Sequence, residues 1–200
     1  MTGANPGEPE QFTHTPGQVA FTPDGSKLVV TTKAGGQSID VFRLTPFGGL
    51  SQTPVITADP TVPFAVAFDQ QGNLLVAEAA GALASFRVNF DGSLTALSSV
   101  ASEQAATCWL TSASGYFYTS NAGSATLSGF RDAFGALALL GNTGTHPGTV
   151  DGASAGRNLY VQAGKEGFVD EFTVTGSGGL EPIGSVLVPG AAGGEGIAAG

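Results

Sequence analysis

The sequence predicts an all-β fold, a β-propeller of about four four-stranded blades, and the main reason is a repeat along the chain. Four segments follow one plan, in which four short strands alternate with glycine-containing turns and the third strand ends in Phe. Three kinds of marker residue occur once in each segment: turn glycines at Gly25, Gly72, Gly115 and Gly156, aromatic anchors at Phe42, Phe86, Phe130 and Phe172, and leucines at Leu50, Leu94, Leu137 and Leu180. All three keep a period of roughly 40–50 residues, which is typical of propeller blades.

Composition supports the same fold. Gly accounts for 31 of the 200 residues, and charged residues make up 12%, against roughly 25% in an average domain. The glycines fall at the predicted turns and the apolar residues form short runs, so the glycine content indicates many tight turns. No segment keeps a helical period for more than about two turns.

The predicted blades cover approximately residues 16–58, 59–102, 103–143 and 144–190. Each contains four runs rich in β-branched or aromatic residues, as expected of strands, and Pro54 suits an exposed edge strand. The predicted strands are 18–21, 28–32, 39–44 and 53–56; 64–68, 73–77, 83–88 and 94–100; 109–111, 116–119, 126–130 and 137–140; and 148–150, 158–161, 168–172 and 183–188.

The two ends of the chain differ from the blades. Residues 1–15 are polar and predict a flexible lead, whereas residues 191–200 resemble the start of a further inner strand. The chain is therefore expected to be the C-terminal part of a larger ring. In an open arc the faces of the first and fourth blades that neighbouring blades would cover are left uncovered, and self-association through them is expected unless the four blades close into a tight ring, which the length also permits. The apolar residues predicted on those faces are Val19, Phe21, Leu28, Val30, Leu159 and Val161.

Charge excludes several function classes. The net charge is −9, and the seven Lys and Arg residues are scattered, so neither nucleic-acid binding nor attachment to a membrane surface is predicted. No apolar run approaches the roughly 20 residues of a membrane span, and the first residues predict no secretory signal. The lone Cys108 is expected to be a small buried residue. No metal site and no cofactor are predicted, because Cys/His ligand clusters and nucleotide-binding loops are absent from the sequence.

Four sequence stretches resemble the blades of lactonase-type seven-bladed propellers, the family of 6-phosphogluconolactonase and carboxymuconate lactonising enzyme. They are QVAFTPDGSKLVVTTKAGGQSIDVF, LLVAEAAGALASFRV, FYTSNAGSATLSGF and LYVQAG. The resemblance covers about residues 14–200, roughly four of seven blades. It implies the fold and, more weakly, lactone chemistry, because a fold does not carry its function with it.

The catalytic pattern that the resemblance implies is not found at the matching positions. The family's His-x-His run would fall on Thr15 and Gly17, and its Arg-His pair would fall where this chain has Val62-Pro63-Phe64-Ala65. Its Asn-Glu pair corresponds to the stretch around Glu78, displaced by one position. The resemblance therefore implies a propeller without the full catalytic set.

Equivalent ends of the second strands carry Thr32, Glu78, Asn121 and Ala163, which a propeller brings to one rim. Glu78 is the candidate catalytic residue. It is either a general base whose pKa burial raises or a carboxylate that accepts hydrogen bonds from turn N–H groups. Asn121 is a candidate ligand contact, with the same structural alternative.

The remaining candidate ligand contacts are Lys33, Trp109, His14 and His146. Lys33 could attract an anion or be an exposed turn lysine. Trp109 stands where Val19, Val66 and Val150 occur in the other blades, and is either core packing or a stacking platform for a sugar-like ring. His14 and His146 each precede an inner strand and are expected to face solvent as loop residues, since no acidic ligand spacing supports a metal.

The functional prediction is a scaffold that binds a small-molecule or protein ligand at the propeller rim. The alternative is a lactone hydrolase or lactonising enzyme acting on a small sugar-derived or carboxylated substrate, with Glu78 as the base.

Overall fold

The computed structural model describes residues 15–33 and 35–200, which form sixteen β-strands and no helix. None of the described segments could therefore cross a bilayer as a helix. The strands are β1 (Pro16–Phe21), β2 (Lys27–Thr32), β3 (Ser38–Arg43), β4 (Val55–Ala58), β5 (Pro63–Phe68), β6 (Leu74–Glu78), β7 (Ala82–Val88), β8 (Leu94–Ala101), β9 (Thr107–Ala113), β10 (Tyr116–Asn121), β11 (Thr126–Ala133), β12 (Ala136–Gly144), β13 (Thr149–Ala155), β14 (Asn158–Ala163), β15 (Phe168–Val174) and β16 (Leu180–Leu187).

The strands form four antiparallel sheets, each made of four consecutive strands in chain order. The first strands of neighbouring sheets contact one another, β1 with β5, β5 with β9 and β9 with β13, so they form the inner edge of the assembly. This is the blade arrangement of a propeller, and the predicted all-β propeller fold is confirmed.

The hydrophobic core lies between the sheets rather than within any one of them. Between the first and second sheets it contains Val29, Ile39, Val41, Val66, Leu74 and Val76. Between the second and third sheets it contains Leu75, Leu83, Phe117, Phe130 and Leu137. Between the third and fourth sheets it contains Ala113, Tyr118, Leu127, Leu159, Val161, Phe172 and Val174. The two inner sheets therefore bury both faces, which explains why their strands lack polar alternation.

The outward faces agree only in part with the prediction. Val19 and Phe21 are each 59% exposed on the first sheet, which shows that its outer face is uncovered. The prediction was wrong for Leu159 and Val161, which are buried against the third sheet. Successive side chains of a strand point to opposite faces, so Tyr160 lies on the outward face of the fourth sheet in their place.

Every inner strand begins with a β-bulge. Between Pro63 and Val66 the first strand of the second sheet has two residues opposite the single residue Ala77, and the other three inner strands carry an irregularity at the same place. A bulge re-aims side chains and increases the local twist. The bulge residues are Gly17 and Gln18, Phe64 and Ala65, Cys108 and Trp109, and Val150 and Asp151.

The C-terminal segment turns back towards the rim. The Gly193 amide donates to the Gly164 carbonyl at 2.7 Å. Residues 191–200 form no strand, in contrast to the predicted further inner strand, because a strand requires a neighbour with which to form a ladder and no described strand pairs with this segment.

Candidate functional site

The four predicted rim positions are structurally equivalent. Thr32, Glu78, Asn121 and Ala163 are the last residues of the second strands. The residue after each of the last three donates its amide to the connection that enters the inner strand, as Ala79 does to Val62 and Ala122 to Ala106. The turn between the second and third strands and the connection to the next blade therefore meet at one end of the propeller, here called the rim.

In the third blade the rim position is an internal hydrogen-bond network. Asn121 is fully buried, its Oδ1 accepts from the Thr107 hydroxyl at 2.7 Å, and its Nδ2 donates to the hydroxyls of Ser128 at 2.8 Å and Thr126 at 3.1 Å. The Thr107 hydroxyl also bonds to that of Ser102 at 2.8 Å. Both ends of the Asn121 amide are hydrogen-bonded within the blade, so Asn121 holds its own turn together. Of the two roles considered for Asn121, ligand contact and turn stabilisation, this is the structural one.

The second blade places two carboxylates where the third blade has this network. Glu78 replaces Asn121, Asp59 replaces Ser102, and Pro63 replaces the bridging Thr107. Glu78 is 5% exposed and Asp59 is 6% exposed. Asp59 Oδ1 accepts from the Thr61 amide at 3.0 Å and from its hydroxyl, but Asp59 Oδ2 has no hydrogen-bond partner within residues 15–33 and 35–200.

This carboxylate pair shifts the ionisation of Glu78. Burial, followed by the nearby negative charge of Asp59, raises the pKa of Glu78 from 4.5 to about 7, and the Thr61 hydroxyl opposes the shift only in part. A carboxyl group that is half-protonated near neutral pH can both donate and accept a proton. The fourth blade offers no such group, because its equivalent residue is Ala163.

The bulges of the second and third blades bring aromatic rings together at the inner edge. Phe64 and Trp109 lie with their ring centroids 4.9 Å apart and their planes inclined at 51°. The Lys33 ammonium lies over the Phe64 ring, 4.4 Å from its centroid, a cation–π contact. Phe64 is 9% exposed and Lys33 7%, whereas Trp109 is half-buried, so the indole is the accessible part of this cluster. Lys33, Phe64 and Trp109 are here called the axial cluster.

The environment of Lys33 is not that of an exposed turn lysine. Burial lowers the pKa of Lys33, while Glu195 and Cys108 act in the opposite direction through their charges. The same burial raises the pKa of the Cys108 thiol to about 11, so Cys108 is the predicted small buried residue. Glu195 belongs to the C-terminal segment, which therefore reaches the axial cluster.

The bulges also explain why the histidine of the lactonase-type pattern has no counterpart at Gly17. A Cβ atom at Gly17 would lie 2.6 Å from Thr31 Oγ1 and 2.7 Å from the Phe64 carbonyl oxygen. The Thr31 hydroxyl donates to that same carbonyl and accepts from the Gln18 amide at 2.9 Å. The first and second blades approach so closely here that no side chain fits.

His146 is not the solvent-facing loop residue that was expected. Its Nδ1 lies 2.6 Å from Asp170 Oδ1, its backbone amide donates to Asp170 Oδ2 at 2.8 Å, and its ring stacks on Phe168 at 4.0 Å. His146 belongs to the fourth blade and is not part of the axial cluster. His14 lies outside the described residues.

Two of the larger cavities lie away from these groups. One, of about 570 Å³, is bordered by Asp69, Ser114 and Asp132, which belong to the turns at the opposite end of the strands. A second of similar size is bordered by Lys27, Arg43 and Phe90. Within the described part of the chain no three His, Cys, Asp or Glu residues are grouped to hold a metal.

Comparison with known proteins gives matches of structure only. No family model and no curated protein matches the chain. A candidate 6-phosphogluconolactonase from Bacteroides fragilis superposes with a TM-score of 0.76 at 21% identity, over 94% of this chain and 59% of that one. A periplasmic gluconolactonase from Pseudomonas aeruginosa gives a TM-score of 0.75 at 20% identity, over 90% and 56%. Virginiamycin B lyase from Staphylococcus aureus gives 0.61 at 13%, over 87% and 56%.

The chain has the β-propeller fold of these structures. The resemblance predicted from the sequence is thus confirmed for the architecture, and the chain spans somewhat more than half the length of these structures. At this level of identity the likeness shows the fold alone, so the activity has to be argued from the residues at the rim.

The sequence analysis identified Lys33, Glu78, Trp109, Asn121 and His146 but missed four residues that contact or act on members of this set. Asp59, Phe64, Asp170 and Glu195 come from connections, bulges and the C-terminal segment. Of these four, only Asp59 could have been found from the sequence. It stands at the repeat position that holds Ser102 and Thr145 in the next two blades, and it is the one acidic residue among the three.

Proposed function

We propose that this lactonase-type propeller binds a small, uncharged, ring-shaped polyol, of the sugar-lactone class, against the axial cluster. The observation that carries the proposal is the Trp109 indole, which is half-buried at the inner edge and backed by Phe64 and the Lys33 ammonium. An aromatic face combines apolar area with a defined geometry, and it suits the C–H face of a sugar ring.

Charge favours an uncharged ligand over an anion. The chain carries a net charge of −9, and the negative charge of Glu195 acts on the Lys33 ammonium. Hydroxyl groups of a polyol can accept hydrogen bonds from the Lys33 ammonium, which lies over the Phe64 ring.

Trp109 is the only tryptophan of the chain, so its fluorescence reports binding directly. Titration with D-glucono-1,5-lactone is expected to change the emission in a saturable way, and titration with the open-chain gluconate anion is expected to have a weaker effect. Trp109→Ala, followed by calorimetry, should weaken binding at least tenfold, which corresponds to about 1.4 kcal/mol.

Phe90→Ala is the matched control, because Phe90 is 91% exposed and is not part of the axial cluster. Its affinity for the lactone should equal that of the unmodified protein. An emission spectrum that does not respond to the lactone, or equal affinity after Trp109→Ala, would contradict the proposal.

A lactone hydrolase is the alternative, and the raised pKa of Glu78 is the observation that favours it. A carboxylate with a pKa near 7 could remove a proton from the water that attacks a lactone carbonyl. Against it stand the absent His and Arg residues at Thr15, Gly17 and Pro63, and the near-complete burial of Glu78.

The substitution Glu78→Gln distinguishes ligand binding from lactone hydrolysis, because only hydrolysis would require Glu78 as a base. A general base contributes roughly 10²- to 10⁴-fold to a rate. We expect the unmodified protein to hydrolyse δ- and γ-lactones no faster than Glu78→Gln does. A hundredfold loss of kcat/KM in the variant would establish the enzyme.

A further inference from the structure

We infer that His146 and Asp170 form a second site, a histidine–carboxylate dyad that hydrolyses small uncharged esters on the fourth blade. The two residues are 24 positions apart in sequence, on the connection before β13 and in the middle of β15. The site shares no residue with the axial cluster and does not depend on the function proposed there.

Asp170 fixes the imidazole in one orientation. Its side chain is 6% exposed, and its two oxygens bond to two atoms of the same residue, Nδ1 at 2.6 Å and the backbone nitrogen at 2.8 Å. Phe168 closes one face of the ring with an interplanar angle of 8°. Two hydrogen bonds and a stacked ring leave the imidazole little freedom, and such preorganisation is what a catalytic group requires.

The same contacts select the tautomer. A carboxylate only accepts hydrogen bonds, so Nδ1 carries the proton and Nε2 of the neutral ring holds the free electron pair. Within residues 15–33 and 35–200 no group bonds to Nε2, and the His146 side chain is 35% exposed. A buried acid behind Nδ1 and an Nε2 without a partner among the described residues are the two properties of a general base that a carboxylate orients.

The imidazole borders a cleft of about 390 Å³. Pro147, Phe172 and Pro182 give the cleft apolar walls, and the hydroxyls of Thr145 and Ser185 lie at its border. This volume suits a small ligand. The buried Asp170 charge and the net charge of −9 disfavour an anionic ester, so the substrate class is a small uncharged acyl ester.

The reaction is hydrolysis with water as the only co-reactant. Nε2 removes a proton from a water molecule while the water oxygen forms a bond to the acyl carbon. The bond from the acyl carbon to the alkoxy oxygen then breaks, and the departing oxygen takes the proton from the imidazolium. Ester and water yield a carboxylic acid and an alcohol, and His146 returns to its neutral form.

The test uses p-nitrophenyl acetate and the full chain, with release of p-nitrophenol as the readout. His146→Gln should lower kcat/KM by at least a hundredfold, since glutamine can still donate to Asp170 but has no basic nitrogen. Glu171→Gln is the matched control, because Glu171 is the next residue of β15, on the opposite face of the strand, and its activity should be unchanged.

Asp170 acts through His146 and is a positioning residue, so its test needs a readout other than rate. Long-range ¹H–¹⁵N spectra of the imidazole should show the Nδ1–H tautomer in the unmodified protein and a mixture of tautomers in Asp170→Asn. If Asp170→Asn fails to fold, the proposal is tested by two other measurements. These are the tautomer seen in the spectrum of the unmodified protein and the kcat/KM of His146→Gln. Equal kcat/KM for His146→Gln and the unmodified protein, or an Nε2–H tautomer, would overturn the proposal.

Discussion

At the scale of single residues, the carboxylate pair is the feature that departs most from the repeat. The third blade satisfies the same positions with Ser102, Thr107 and Asn121, all neutral and hydrogen-bonded. The second blade places the carboxylates of Asp59 and Glu78 there, and burying a carboxylate costs free energy that the fold must offset elsewhere. Such a cost is typical of positions retained for function rather than for stability.

This cost should appear as a dependence of stability on pH. Below pH 4.5 Glu78 is protonated in both the folded and the unfolded chain. Between 4.5 and about 7 the unfolded chain releases this proton while the folded chain retains it, so the contribution of Glu78 to the free energy of unfolding is lost as pH rises and is constant above about 7. The loss amounts to about 3 kcal/mol.

Glu78→Gln should remove this dependence, so that at pH 8 the variant is the more stable protein, whereas at pH 4 the two are similar. Urea unfolding at a series of pH values measures the difference. Glu181→Gln, at an exposed position, is the control and should follow the unmodified protein at every pH. Parallel curves for Glu78→Gln and the unmodified protein would show that the pKa of Glu78 is not raised.

At the scale of the elements, the inner strands are held together by contacts that begin at the bulges. The Val66 amide donates to Gln18 Oε1 at 2.8 Å, and the Thr31 hydroxyl donates to the Phe64 carbonyl, so in each bond a bulge residue of one blade meets a strand residue of the other. Between the third and fourth blades the Tyr118 hydroxyl donates to the Gly178 carbonyl at 2.9 Å. These bonds fix the spacing of blades whose apolar faces alone would allow sliding.

Gly17→Ala tests this close approach. The added Cβ would meet the Phe64 carbonyl oxygen at 2.7 Å, so the first blade must move away from the second. Overpacking of this kind costs roughly 1–3 kcal/mol. Thermal unfolding should show a lower Tm for Gly17→Ala. Gly144→Ala, where the new Cβ meets nothing within 4 Å, should leave the Tm nearly unchanged, and an equal Tm for both variants would disprove the contact.

At the scale of the whole molecule, the four blades form an arc whose first face is open. Val19 and Phe21 are each 59% exposed and Ile56 is 65% exposed, all on the first sheet. A closed four-bladed ring would cover the outward faces of the first and fourth sheets, so the exposure of these residues shows an open arrangement. Exposed apolar surface of this kind favours association.

We expect this chain to self-associate in solution through the open face. Size-exclusion chromatography with light scattering should give a mass above that of one chain. The double variant Val19→Asp and Phe21→Asp should shift the protein towards the monomer, because a charge at the centre of an apolar contact is costly to bury. Phe47→Ser, at a turn residue that is 99% exposed, is the control. A monomer at every concentration before any substitution would contradict the expectation.

The sequence by itself determined the number of blades, the order of their strands and the rim positions. These depend on local patterns: short β-branched runs, turn glycines and a period that aligns Glu78 with Asn121 and Ala163. Asn121 and Glu78 were therefore placed correctly at the strand ends before any partner was known.

Only the tertiary structure decided what those residues contact. The bulge inserts one residue into each inner strand, so that Leu110, and not Trp109, is the ladder equivalent of Val19 and Val66. Trp109 is thereby turned towards Phe64. The pairs Asp59–Glu78 and His146–Asp170 likewise join residues about twenty positions apart, from a connection and a strand. A repeat fixes which positions are equivalent, but the distances between side chains on different elements depend on bulges and on how the blades pack, and neither has a period in the sequence.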